Sequence, residues 1–134
     1  MTTERREFEA RPEAVGQMLE FVDAMTVGLP TKASHDLRMA CEEILVNIAS
    51  YAYPAGDGQV TVLWDDDRAG TVQVRFEDAG TPFDPLDTPE PDLDVPIAER
   101  AIGGLGIMLV RRLMDDVQYS RAEGKNILTI TKAY

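Results

Sequence analysis

Cys41-Glu42-Glu43-Ile44-Leu45-Val46-Asn47-Ile48-Ala49-Ser50-Tyr51-Ala52-Tyr53 reads as the second half of a long amphipathic helix. With Leu37, the residues Cys41, Ile44, Leu45 and Ile48 recur at spacings of three and four, which predicts one buried face over a helix from about 31 to 53. Glu43 and Asn47 are one helical turn apart, so they share a face, while Ile44 and Ile48 turn toward a core. Pro54-Ala55-Gly56-Asp57-Gly58 ends the helix in a turn.

Outward from this helix the patterning changes period. Glu4 to Ala10 alternates loosely around Phe8 and predicts a short edge strand. Arg11-Pro12-Glu13 suits a helix start, and Val15, Leu19, Phe21, Val22 and Met25 carry its apolar stripe to Gly28 and Pro30. Gln59–Trp64 and Thr71–Glu77 alternate with period two around the loop Asp65–Gly70, which is a hairpin signature. From Ala79 to about Ile102 the patterning fails and five prolines fall among acidic residues, a loop long enough to suggest function or mobility, with one helical turn near Ile97–Ala101. A helix over Gly104–Met114 follows, with Ile107, Val110 and Leu113 toward the core. A closing hairpin of Val117–Arg121 and Asn126–Thr131 turns at Glu123-Gly124. Hairpin-linked strands with grouped helices predict an α+β two-layer sandwich, its helices on one face of the sheet.

The chain has 134 residues with 44% hydrophobic content, enough for a single domain over 1–134. It has no run of about 18 apolar residues and no secretory h-region behind Met1-Thr2-Thr3, so neither a membrane span nor a signal peptide is expected. The single Cys41 falls on the apolar helix face as a buried thiol, consistent with a reducing cytoplasm. A net charge of −11 argues against direct nucleic-acid binding. The lone His35 excludes a histidine-rich metal site and argues against phosphohistidine chemistry.

Three short signals carry the chemistry. Glu43 and Asn47 suit one magnesium–nucleotide complex: an amide oxygen for the metal, and a carboxylate to orient a water or accept a proton from a hydroxyl. Asp78-Ala79-Gly80 ends a strand, placing a carboxylate where it can accept from an adenine amino group, with Gly80 allowing close backbone approach. Gly103-Gly104-Leu105-Gly106 opens a helix whose first amides lack internal partners and suit phosphate oxygens. It is neither a Walker nor a Rossmann pattern, having no Gly-Lys-Ser/Thr and no preceding strand. Each signal alone has a plainer reading: a solvated helix face, an Asp-x-Gly turn, a hinge. Tyr51 and Tyr53 suit either a pocket entrance or a core cap.

Taken together, in this order, the signals resemble those of the GHKL ATPase superfamily, and more closely those of the bacterial anti-sigma-factor serine/threonine kinases, over residues 7 to 132. The first box resembles residues 41–53. The second resembles Asp78-Ala79-Gly80-Thr81-Pro82-Phe83-Asp84-Pro85, the third Gly103–Asp115, and the closing strand Asn126–Lys132. The resemblance implies a Bergerat ATP-binding fold with a mixed, mostly antiparallel sheet, and ATP and Mg2+ as cofactors. It implies Glu43 as catalytic base, Asn47 as metal ligand, Asp78 and Gly80 at the adenine, and Gly103, Gly104, Leu105 and Gly106 at the phosphates. Thr129 would be a secondary contact near Asp78, and residues 83–102 an ATP lid. Many relatives carry an arginine where this chain has Ile102, and Arg100 is the nearest cation. The implied partners are a small anti-sigma-factor antagonist, phosphorylated on serine or threonine, and an RNA polymerase sigma factor, bound by a homodimer. The Ile102 departure keeps open an ATP-binding interaction module without kinase activity.

Overall fold

The computed structural model describes residues 2–87 and 104–134. Strand β1 (Thr2–Glu9) leads through a 3-10 turn at Pro12–Ala14 into α1 (Val15–Met25) and α2 (Thr31–Tyr51). A hairpin of β2 (Gln59–Asp66) and β3 (Thr71–Asp78) follows, then a 3-10 turn at Pro85–Asp87. Beyond it lie α3 (Gly104–Leu113) and a second hairpin, β4 (Asp116–Ala122) and β5 (Lys125–Ala133). The expected order of elements is therefore present among the described residues. The helical turn expected at Ile97–Ala101 and most of the expected lid lie outside them.

The sheet runs β1-β2-β3-β5-β4, and all of its ladders are antiparallel among the described residues, where mixed pairing was expected. β4 takes the edge, and the strand returning from it, β5, pairs with β3, so no parallel neighbour arises. Both hairpins turn on local chemistry. Glu123 and Gly124 both hold positive φ, 54° and 76°, the backbone of a tight two-residue turn. In the β2–β3 turn the Asp67 carboxylate accepts from Ala69 N and Thr71 N at 2.7 and 3.0 Å.

Strict alternation gives the sheet one dry face. Val60, Val62 and Trp64, Val72, Val74 and Phe76, and Leu128 and Ile130 are all buried against the helices. The helices answer with Met18, Phe21 and Val22 from α1, Leu37, Cys41, Ile44 and Leu45 from α2, and Ile107 and Val110 from α3, in one cluster. Met18 replaces Leu19 as the buried residue of α1; Leu19 is only half-buried. α2 lies between α1 and α3. Phe8 anchors β1 against Phe21, ring centroids 5.9 Å apart. No helix among the described residues is long and apolar enough to cross a membrane.

α2 ends two residues before its expected limit, because Tyr53 precedes Pro54 and that position disfavours helical backbone. Freed from the helix, the Tyr53 hydroxyl donates to Gln59 O at 2.6 Å and accepts from Ala79 N at 2.8 Å. Gly58 lies under its ring, where a Cβ would stand 2.2 Å from ring carbons. The far end of α3 is fastened as well. Lys132 donates to Leu113 O at 2.8 Å and pairs with buried Asp36 of α2 at 3.0 Å, and Asp115 N donates to Thr131 O at 2.9 Å.

Candidate active site

Glu43 and Asn47 project from α2 toward α3, while Ile44 and Leu45 are buried in the core. α3 lies close because Gly106 has no side chain: a Cβ there would stand 2.7 Å from Glu43 Oε2 and 3.8 Å from Asn47 Nδ2. Glu43 is half-buried and has no ion pair among the described residues. An acid without a counterion, beside a helix start, is available to accept a proton.

Asp78 is the last residue of β3 and shares the inward parity of Val72, Val74 and Phe76, so its carboxylate is buried on the helix side. Its Oδ1 accepts from Gly80 N and from Asn126 Nδ2, both at 3.0 Å. Asn126 is its register partner on β5. Asn126 Nδ2 also donates to Thr81 O at 2.9 Å, and its Oδ1 accepts from Phe83 N at 3.2 Å and Tyr119 OH at 2.5 Å. Arg121 donates to Gly80 O at 2.9 Å. The start of the loop after β3 is thus tied to the closing hairpin.

These groups border one cavity of about 320 Å³, within the size range of small-molecule sites. Ile48, Phe76, Val110 and Leu128 give it apolar walls, Tyr51 and Phe83 stand at its border, and Glu43, Asn47, Gly106, Asp78 and Asn126 supply the polar groups. Tyr51 is exposed at the cavity, whereas Tyr53 takes the capping role.

The structure therefore brings Glu43, Asn47, Asp78 and Gly106 together, and it separates two of the expected residues from them. Gly80 is not part of the cavity wall. Its missing side chain makes room for α2, since a Cβ there would stand 2.2 Å from Ala52 O, the carbonyl that accepts from Thr81 N at 2.9 Å. Thr129 pairs with Arg75 and Gln118, on the sheet face opposite to Asp78 and Asn126. Its neighbours Leu128 and Ile130 take the inward positions, so strand parity turns Thr129 away. Gly104 and Leu105 form the first turn of α3. Arg100, Ile102 and Gly103 lie outside the described residues. Asn126 and Tyr119 were not anticipated. The available signal was an asparagine at the inward parity of Asn126-Ile127-Leu128-Thr129-Ile130, where an apolar residue is ordinary.

The sequence profile of the histidine kinase-like ATPase domain matches residues 8–132. The chain belongs to that family. Among curated proteins, this ATPase domain is 33% identical to the serine-protein kinase RsbW of Listeria monocytogenes over 130 residues, spanning 89% of this chain and 80% of that protein. It is 29% identical to the serine-protein kinase RsbW of Bacillus cereus over 99 residues, spanning 69% of this chain and 60% of that protein. Among solved structures, the blue-light activated histidine kinase of Erythrobacter litoralis EL346 superposes with a TM-score of 0.61 at 16% identity. That match covers 90% of this chain and 41% of the kinase, and it bears on the fold alone. The resemblance to the serine-kinase branch of the GHKL superfamily thus holds, as does its two-layer fold.

Proposed function

We propose that this chain is an ATP-dependent serine/threonine protein kinase of the anti-sigma-factor type. Its substrate would be a small antagonist protein, its second partner a sigma factor of RNA polymerase, and its working form a homodimer in the cytoplasm. The similarity to the RsbW serine-protein kinases supports this reading of substrate and partner class. One observation carries the chemistry: the unpaired Glu43 carboxylate, the Asn47 amide and the buried Asp78 carboxylate converge on a single cavity, with the start of α3 against the first two.

The donor set fits magnesium and ATP. A lone amide oxygen with room for water and phosphate oxygens suits magnesium, and a buried acceptor in an apolar cavity suits the amino group of a purine. When bound, magnesium–ATP supplies the transferable phosphoryl group and neutralises charge developing on it. Asp78 accepts from the base and fixes its orientation. Asn47 holds the metal through its side-chain oxygen. The backbone amides of Gly104, Leu105 and Gly106 face phosphate oxygens with the positive end of the α3 dipole. Glu43 takes the proton of the incoming serine or threonine hydroxyl as its oxygen bonds to the γ-phosphorus and the bond to ADP breaks. The phosphate added to the antagonist then disrupts a fitted surface and releases it.

The deciding comparison is wild type against Glu43→Gln, with labelled ATP, magnesium and candidate antagonists from neighbouring genes. The variant is expected to bind ATP as wild type does and to lose transfer. A fully active variant refutes Glu43 as base. ATP-dependent partner binding that survives in Glu43→Gln, with no transfer by wild type to an antagonist it binds, replaces the kinase with an interaction module, the outcome that Ile102 favours.

A further inference from the structure

The amide of Asn126 is buried and makes four hydrogen bonds, the full capacity of its two N–H donors and two of its acceptor sites. Its orientation is fixed by its partners. Phe83 N–H can only donate, so it requires the oxygen; Thr81 O and the Asp78 carboxylate accept, so they require the nitrogen. Both hydrogen bonds received by Asp78 fall on Oδ1, from Gly80 N and Asn126 Nδ2, and none falls on Oδ2 among the described residues. Asn126 thereby holds the rotation of the Asp78 carboxylate and, through Thr81 and Phe83, the chain that borders the cavity beside it.

We propose that Asn126 is a positioning residue for base selection: it locks Asp78 so that Oδ2 stays an acceptor, admitting a purine with a 6-amino group and rejecting one with a 6-oxo group. The inference rests on the reading of Asp78 as the base contact. A locked carboxylate oxygen accepts from the amino group of adenine and faces the carbonyl of guanine acceptor to acceptor, with an unmade bond on each side. A carboxylate free to rotate discriminates less. No contact between Asn126 and the nucleotide is needed.

The test is equilibrium binding of ATP and of GTP to the whole chain in magnesium, for wild type, Asn126→Ala and Asn126→Asp, with a thermal melt on each. Asn126→Asp keeps the shape and replaces the donated bond with a second acceptor, so a packing role would survive it and a positioning role would not. The ratio of ATP to GTP affinity is expected to fall at least about tenfold in each variant that folds, the scale of one hydrogen bond to a charged group. A wild-type ratio in either folded variant overturns the inference and leaves the Asp78 reading standing. Wild type that binds neither nucleotide, or binds both alike, overturns the Asp78 reading and the inference with it.

Discussion

Replacing Gly106 with alanine separates the stability of this domain from its chemistry. In the wild type the position of the missing Cβ is 2.7 Å from Glu43 Oε2, and ordinary contact begins at 3.4 Å, so the carboxylate must retreat by 3.4 − 2.7 = 0.7 Å. The atom that yields is the end of a flexible side chain, and the next contacts, at 3.7 and 3.8 Å, are already comfortable. The fold therefore loses little. An alanine inside a helix is favoured over glycine by about 1 kcal/mol, and by less in the first turn, so a net gain of about 0.5 kcal/mol is expected. That raises the melting temperature by about 2 °C for a chain of this size. Catalysis moves the other way. A displacement approaching 1 Å in a reacting group costs up to about 100-fold, so transfer is expected to fall between about 10- and 100-fold. ATP affinity should change far less, because the α3 amides remain. A thermal melt, an ATP titration and an initial-rate transfer assay on the same preparation read all three. Unchanged transfer in a folded Gly106→Ala protein would show that the Glu43 carboxylate is not the group whose place matters. A loss of more than about 1 kcal/mol in stability would show that Glu43 cannot yield.

The other expectations concern the frame of the site. Gly80→Ala drives a methyl into the Ala52 carbonyl, a backbone atom that cannot swing away, and should cost about 3 kcal/mol in denaturant unfolding; a cost below about 1 kcal/mol refutes the tight contact. Burial pushes the Asp36 carboxyl up, but hydrogen bonds from Lys32 and Lys132, with their charge, outweigh it and hold it below its ordinary range. A depressed folded value stabilises the fold above the unfolded pKa, so the gap between wild type and Asp36→Asn should stay flat from pH 7 to about 4.5 and narrow below about pH 4. A gap that widens on acidification reverses that sign. Burial also pushes the Cys41 thiol up to about 12, so a thiol reagent at pH 8 should label it only as fast as the domain unfolds, and rapid labelling of the folded protein contradicts its burial.

What the sequence displayed was whatever depends on local period. Glu43 and Asn47 share a helix face by spacing, and the inward row Val72, Val74, Phe76 carries its parity forward to Asp78. Strand parity was equally legible in β5, where buried Leu128 and Ile130 already send Thr129 outward. Family resemblance there outweighed an alternation that had the better physical claim. Gly80 was harder. Its neighbour is Ala52, and that approach depends on where α2 stops, which Pro54 sets two residues before the apolar pattern does. The amide of Asn126 was hardest, because its partners come from β3, β4 and the loop after β3. Only the register of three antiparallel strands brings them to one point.

The clamp on the C-terminal end of α3 makes that helix a lever with one pivot. Leu113 is pinned through Lys132 to β5 and to Asp36 of α2, so a force on the opposite end tilts the rod and cannot slide it along its axis. Ten residues span about 15 Å, and a tilt of about 10° sweeps the free tip through roughly 2.6 Å. Gly106, near that tip, feels most of the arc, and so does the gap it leaves for Glu43. A pull on the segment that precedes α3 would thus be read at the proton acceptor, while the hydrophobic interior stays at rest.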